Sequence, residues 1–293
     1  MKRTGLFLLS ALFPCFLLAE PAGPVRAFRF AVTDNAACRD EALFQAKIDQ
    51  IRPEKLAFSV MIGIKPSDAP CTDTLYQHRR LLLNESDKPL FLSLAGSDWM
   101  PCTNADGNDI RIPRLQQLRE ILFEDNTAFG VTGMPLVRQS INPRYRDYPE
   151  NAWWQYGNIL FATLHLPAEN NHYRHEAGQN NEFEERTLAN RNWLHRIFML
   201  AKRKRMPGIV LLTDGNPLQG ALSAIRDGFR EIRRDLLALS ERYTGRVLLI
   251  HAHSASASRR ITWKNNVGYI STNDDWLRIT VSPRYRRLFA PSE

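Results

Sequence analysis

The stretch FRFAVTDNAACRDEALFQAKIDQIRPEKLAFSVMI, residues 28–62, decides the fold class. Its apolar run from Phe28 to Thr33 predicts a buried strand, and the helical spacing from Asp40 to Ile51 predicts an amphipathic helix. The apolar residues from Lys55 to Ile62 predict a second strand. A strand, a helix and a strand in this order indicate a parallel pair joined by a crossover helix.

The same alternation continues along the chain. We predict further helices at 72–83, 113–123, 184–203 and 225–243, strands at 90–94, 157–166, 208–213, 246–251 and 277–281, and a loop at 125–151. Such alternation implies an α/β fold with helices covering both faces of central sheets. Folds of this class carry their sites at the carboxyl ends of the strands.

The N-terminus has the composition of a secretory signal peptide. Lys2 and Arg3 precede a short apolar run that ends at Ala19. The run is shorter than the roughly 20 apolar residues of a transmembrane anchor and contains Pro14, so we favour cleavage over retention as an anchor. We expect residues 1–19 to be removed, residues 20–293 to form one domain without a transmembrane anchor, and the protein to be exported to the periplasm or the extracellular space.

The chain is basic, with a formal net charge of +8, and its cations are scattered apart from the run KRKR at 202–205. An exported basic protein attracts anionic partners. The run itself is also typical of a helix C-terminus, where cations favour the helix dipole. No nucleic-acid-binding module is recognisable.

Cysteine usage suggests one disulfide. Cys38, Cys71 and Cys102 remain after removal of the signal peptide, an odd number in a compartment that permits disulfides. We expect Cys71 to pair with Cys102, because the two flank the same predicted helix and strand, and Cys38 to be a free thiol.

Polar residues with metal-binding chemistry lie at the ends of separate predicted strands. Asp34 follows the first strand, Asp98 the third, His165 lies in GNILFATLHL, and His251 and His253 end RVLLIHAH. Carboxylates and imidazoles that converge on one edge are the ligands of a metal site. Each also has a structural interpretation: Asp34 as a turn residue, Asp98 as a loop carboxylate and His165 as a core histidine.

Other catalytic patterns are absent from the sequence. It contains no nucleophile elbow, no Walker loop, no dinucleotide glycine fingerprint and no helix with paired zinc-binding histidines. Metal-based chemistry is therefore the remaining enzyme hypothesis.

A series of segments runs through the mature chain in a recognisable order: TDNAAC, LAGSDWMPC, IPRLQQLREILF, YPENAWWQYGNILFATLHL, RNWLHRIFMLAKRKRMPGIVLL and RVLLIHAH. In order and spacing they resemble exported bacterial calcineurin-like metallophosphoesterases. The resemblance implies a four-layer α/β/β/α sandwich, with two mixed sheets packed face to face and helices outside. It also implies two metal ions that clamp a phosphate and activate a water molecule for attack.

The resemblance implies metal ligands from an Asp, a nearby His, a bridging Asp, an Asn and several later His residues. Asp34 matches the first Asp, His165 a later His, and His253 the first imidazole of the last motif.

Several other ligand positions hold residues that do not bind metals well. Ala36 stands where a His is expected, Ile64 where the bridging Asp should follow MIG, Ser97 where the family has Asn, and Ala255 where the last His should be. Ile64 matters most, because the bridging carboxylate holds both metals and offsets their mutual repulsion.

The chain matches the structural residues of the family more completely than it matches the family's metal ligands. Asn170, Asn171, Trp153, Trp154 and Trp193 all match structural signatures of the family. We therefore expect a pseudoenzyme with a binding or structural role and no particular partner indicated by the sequence.

The alternative is an active metal-dependent phosphoester hydrolase. One divalent metal, Mn, Fe or Zn, would be held by Asp34, His165, His251 and His253, with Asp98 or His253 as general acid or base. Its substrate would be a phosphoester or a related anionic ligand.

Two further possibilities remain open at this point. Asp68 or Asp73, which follow the lost bridging position, would supply replacement ligands in a rebuilt site. The basic charge would alternatively attach the protein to anionic polymers of the cell envelope.

Overall fold

The computed structural model describes residues 26–34, 38–175, 178–220, 226–252, 260–273 and 275–292. The expected signal peptide, Ala36, His253 and Ala255 lie outside the described residues. Within them the chain forms these strands and helices: β1 (Phe28–Asp34), α1 (Glu41–Gln50), β2 (Ser59–Ile62), α2 (Asp73–Asn84), β3 (Leu90–Ser93), α3 (Arg111–Leu122), β4 (Val137–Arg138), β5 (Ala152–Tyr156), β6 (Ile159–Thr163), α4 (Asn181–Arg203), β7 (Gly208–Thr213), α5 (Arg230–Glu241), β8 (Arg246–His251), β9 (Thr262–Lys264), β10 (Val267–Ser271), β11 (Leu277–Val281) and β12 (Phe289–Ser292).

The strands form two mixed sheets. The first has the order β12-β11-β1-β2-β3, in which β1, β2 and β3 are parallel and β11 and β12 run antiparallel to their neighbours. The second has the order β4-β5-β6-β7-β8-β10-β9, in which β6, β7, β8 and β10 are parallel. Parallel strands in both sheets bring their carboxyl ends to common edges.

Three apolar clusters give the molecule four layers. Side chains such as Phe30 on β1 and Phe161 on β6 meet between the sheets. Helices α1 to α3 cover the outer face of the first sheet, where Tyr76 packs in the same cluster as Met61. Helices α4 and α5 cover the outer face of the second sheet around Trp193. The structure thus confirms the predicted α/β fold, with two sheets face to face and helices outside.

Local sequence explains where the first two helices begin. The Asp40 side chain accepts a hydrogen bond from Leu43 N at 2.8 Å and caps α1. The Thr72 hydroxyl accepts one from Leu75 N at 3.3 Å and caps α2. Such caps satisfy amides that the first helical turn leaves unpaired.

The predicted disulfide is confirmed. Cys71 and Cys102 are bonded, with their Cα atoms 5.6 Å apart, and they tie the start of α2 to the loop after β3. Cys38 is a buried free thiol, as expected.

The main differences from the predicted elements concern short strands. The structure adds β5, β9, β10 and β12, and it places β4 and two short 3-10 turns inside the predicted loop at 125–151. The predicted strand from 157 begins at Ile159 and ends at Thr163. In the described part of the chain no helix is both long and apolar enough to cross a membrane.

Candidate functional site

The carboxyl ends of strands from both sheets carry buried polar side chains. Asp34 ends β1, Asp98 follows β3, His165 follows β6, Asp214 follows β7 and His251 ends β8, and each is at most 8% exposed. Hydrogen bonds between the two sheets, described below, bring these ends together. We call this region the acidic edge.

Asp98 is bound by the chain's own backbone. Its Oδ1 accepts from Ile64 N at 2.8 Å and Lys65 N at 3.2 Å, and its Oδ2 accepts from Ala95 N at 2.9 Å. Burial raises the pKa of this carboxyl to about 6, although these amides and the charge of Lys65 oppose the rise. The side chain therefore joins the loop after β2 to the loop after β3.

Asp214 forms a second bridge, this time between the sheets. Its Oδ2 accepts from Gly96 N at 2.8 Å and from Ala168 N at 2.9 Å. Burial, together with the nearby charges of Asp98 and Asp34, raises its pKa to about 7 against the effect of the two hydrogen bonds. Asp34 and Asp98 are therefore close enough to Asp214 to affect its ionisation.

Sequence reasoning missed Asp214. The residue follows GIVLLT directly, so the rule that selected Asp34 at the end of β1 applies equally to it.

Asp34 connects β1 to the second sheet through Thr272. The Thr272 hydroxyl donates to Asp34 Oδ2 at 2.5 Å, and the Thr272 backbone N donates to His251 O at 2.9 Å. The predicted site residues Asp34 and His251 are thus held on either side of one threonine.

His165 has both ring nitrogens engaged. Its Nδ1 lies 3.0 Å from Glu150 Oε1, and its Nε2 lies 3.1 Å from Trp99 Nε1, which can only donate. His165 is therefore the tautomer protonated at Nδ1. Burial lowers its pKa despite the Glu150 hydrogen bond, so the ring is neutral. A metal at Nε2 would have to displace the Trp99 indole.

Glu150 is in turn held by Arg119. The Arg119 guanidinium contacts both carboxylate oxygens, with a shortest distance of 2.6 Å. Burial raises the pKa of Glu150, but the interactions with Arg119 and His165 together outweigh burial, and the pKa falls to about 2. This buried chain of partners is a structural network that positions the His165 ring.

His251 offers a free lone pair more readily than His165 does. Its Nδ1 lies 2.8 Å from Ala252 O and must donate to it, which leaves Nε2 as the unprotonated nitrogen. Burial lowers its pKa, so the imidazole is neutral at pH 7. His253, the remaining predicted ligand and acid or base, lies outside the described residues.

A strained turn stands next to this network. Asn170, Asn171 and His172 all have φ between 48° and 58°, a left-handed conformation that costs non-glycine residues free energy. Arg186 holds the turn through Asn171 O at 3.0 Å. His172 packs edge-on against Trp99 at 4.8 Å between ring centroids, so the turn fixes the indole that contacts His165.

Among the residues that the structure describes, the donor set does not fit a pair of metal ions. Ile64 is fully buried and packs in the apolar cluster under α1 to α3, where it offers no ligand atom. Among the described residues, no group of three or more His, Cys, Asp or Glu side chains is arranged to hold a metal ion. Asp68 and Asp73, proposed as replacements, form ion pairs with Arg39 and Arg114.

Comparisons with known proteins support the fold alone. The sequence matches no protein-family profile, and no curated protein matches it. Among solved structures, the chain is similar to a dimetal phosphatase from Danio rerio, with a TM-score of 0.51 and 10% sequence identity over 89% of this chain and 93% of that one. The chain therefore has the fold of a dimetal phosphatase.

Proposed function

We propose that this chain is an exported protein with a calcineurin-like phosphoesterase fold whose dimetal site is degraded, and that it serves a binding or structural role. The observation that carries the proposal is Ile64, an apolar and fully buried residue at the position where the resemblance implies the bridging carboxylate.

Electrostatics explains why this single position matters. Two divalent cations about 4 Å apart repel each other by about 17 kcal/mol at an effective dielectric constant of 20. A bridging carboxylate offsets much of that repulsion by placing a negative charge between the ions. Isoleucine supplies neither charge nor lone pair.

The remaining carboxylates already have partners within the protein. Asp98 accepts hydrogen bonds from three backbone amides, and Asp214 accepts hydrogen bonds from two. These bonds connect loops of both sheets, so the side chains have a structural task whether or not a ligand binds. A scaffold whose acidic residues hold loops in place is consistent with a protein kept for binding.

Export belongs to the same proposal. We infer that residues 1–19 are a signal peptide and that residues 20–293 form one domain. The Cys71–Cys102 disulfide supports this inference, because disulfides persist in oxidising compartments. Mass spectrometry of the protein secreted by a bacterial host would show a mature N-terminus at Glu20, and an intact Met1 in the exported fraction would contradict it.

Metal content with turnover is the experiment that tests the proposal. The mature protein is incubated with Mn²⁺, Fe²⁺ or Zn²⁺, desalted and analysed by elemental mass spectrometry, and a generic phosphodiester is offered to the same sample. We expect less than one metal ion per chain and no turnover. About two ions per chain with turnover would refute the proposal.

The second candidate is a hydrolase with one divalent metal. The effect of the Asp34 and Asp98 charges on the pKa of Asp214 favours it, because a cation would relieve the concentration of negative charge at the acidic edge. Asp34 and His251 would hold the ion, together with His253.

The two candidates differ in their response to substitution. If the hydrolase is correct, Asp34→Asn abolishes turnover and metal retention together. Asp147→Asn, at an exposed position outside the acidic edge, leaves both unchanged as a matched control. Turnover that survives Asp34→Asn unaltered would refute this candidate.

A further inference from the structure

A concave site lies at the end of the second sheet opposite the acidic edge. A cavity of about 650 Å³ is bordered by Pro207, which precedes β7, and by Gly245, which precedes β8. Asp214 and His251 lie at the other ends of these two strands. At about 3.3 Å per residue, the cavity is roughly 20 Å from the acidic edge. We call it the basic pocket.

The basic pocket is lined by cations from four parts of the chain. The ends of α4 and α5, the start of β8 and the β11–β12 connection contribute Lys202, Arg205, Arg242, Arg246 and Arg286, and no carboxylate lines the cavity. None of these five side chains forms an ion pair within the part of the chain that the structure describes. Five like charges therefore face one space without internal compensation.

The dipoles of the two neighbouring helices account for little of this charge. The C-termini of α4 and α5 each carry about half a negative charge, which together offset about one of the five cations. Favourable helix capping explains Lys202 at the end of α4. It does not explain Arg246 on a strand or Arg286 in a connection between strands.

The lining also indicates the chemistry of the ligand. Four of the five cations are arginines, whose planar guanidinium groups bind phosphate through paired hydrogen bonds. Met206, Pro207 and Leu288 add apolar surface. The volume lies within the range of small-molecule sites, large enough for a ligand with several phosphate groups.

We propose that the basic pocket binds a ligand with two or more clustered phosphate groups. Its cations come from separate elements and converge on one cavity. The pocket therefore recognises ligands with a high local density of negative charge. The site is independent of the acidic edge and does not require that the dimetal site be degraded. The phosphates belong either to a soluble polyphosphorylated molecule or to the headgroups of an anionic lipid.

Calorimetric titration with inorganic tripolyphosphate tests the proposal on the mature protein. We expect saturable binding with one site per chain, and affinity that falls between 50 and 300 mM salt because the contacts are ionic. Arg242→Glu combined with Arg286→Glu should weaken binding by at least about 100-fold, roughly tenfold for each reversed contact.

A matched variant separates a site from diffuse attraction. Arg144→Glu combined with Arg230→Glu changes the net charge equally at exposed positions outside the pocket, and it should alter affinity less than about threefold. Circular dichroism melting curves verify that both variants are folded. Equal weakening by both variants would overturn the proposal, because net charge alone would then explain binding.

Vesicles of phosphatidylglycerol and phosphatidylcholine distinguish the two sources of phosphate. Tripolyphosphate binding without vesicle binding assigns a soluble ligand. Vesicle binding that tripolyphosphate displaces, and that the Arg242 and Arg286 variant loses, assigns a lipid headgroup. Failure of both probes to bind saturably overturns the proposal.

Discussion

Replacing Asp214 with Asn should stabilise the protein at alkaline pH. Burial, Asp98 and Asp34 raise the pKa of Asp214 from 3.8 to about 7. A carboxyl whose pKa is raised on folding lowers stability as pH increases from its unfolded value to its folded one. Below pH 3.8 the Asp214 carboxyl is neutral in both the folded and the unfolded state. Above about pH 7 it lowers the free energy of unfolding by its full amount.

The size of the effect follows from the shift in pKa. About three pKa units at 1.36 kcal/mol each correspond to roughly 4 kcal/mol of lost stability above pH 7. Asn keeps an acceptor oxygen for Gly96 N and Ala168 N, so the two loop contacts persist. We expect Asp214→Asn to match the wild-type protein near pH 4 and to exceed its stability by about 2 to 4 kcal/mol at pH 8.5.

Urea denaturation in EDTA at pH 4 and pH 8.5 measures this difference. Asp235→Asn is the control. Burial raises the pKa of Asp235, but its hydrogen bond to Arg191 at 2.7 Å and the charges of Arg191 and Arg234 together outweigh burial and lower the pKa. The control variant should be less stable than the wild type at pH 8.5. If Asp214→Asn is no more stable than the wild type at pH 8.5, the folded protein does not destabilise the ionised Asp214 carboxylate, which contradicts the raised pKa.

Repeating the measurement with Mn²⁺ connects stability to function. A cation that binds the folded protein at the acidic edge raises wild-type stability by mass action. Such a rise, lost in Asp34→Asn, would support the mononuclear hydrolase. No change at millimolar Mn²⁺ would support the degraded site.

Three further substitutions test the framework. Replacing both Cys71 and Cys102 with Ser opens a loop with a sequence separation of 31 residues and should cost about 4 kcal/mol of unfolding free energy in denaturant. Glu150→Gln removes the carboxylate that pairs with the largely buried guanidinium of Arg119 and should cost about 3 kcal/mol at pH 7 by the same assay. Gly228→Ala places a Cβ 2.1 Å from a backbone oxygen of the left-handed turn and should lower stability by about 1 to 3 kcal/mol in thermal melts. For each of these three changes, unchanged stability would refute the structural role given to the replaced residue.

The regular parts of the fold were predictable because their signals are strong and local. The strands β1, β7 and β8 are buried along nearly their full length and appear as apolar runs, and α2 has a capping residue and one buried face. The shortest strands carry no such signal: β4 has two residues and β9 has three. Their pairing depends on neighbouring strands and on turns, which a local pattern does not specify.

Prediction of the acidic edge was limited by a different factor. Sequence position placed Asp34, Asp98, His165 and His251 correctly at strand ends, but it did not reveal what each side chain binds. The indole of Trp99 donates to His165 across 66 residues of sequence, and no spacing rule indicates such a contact. Partners distant in sequence decide whether an imidazole is a ligand or a structural residue.

The two ends of the second sheet have opposite electrostatic character, and this restricts where a phosphate can bind. At the acidic edge three carboxylates raise the free energy of any anion, so a phosphoester needs a bound cation there. The basic pocket attracts the same anion with no metal. The two sites can therefore be distinguished by experiment. If phosphate binding requires Mn²⁺ and disappears in Asp34→Asn, the ligand binds at the acidic edge. If binding persists in EDTA and disappears in the Arg242 and Arg286 variant, the ligand binds in the basic pocket.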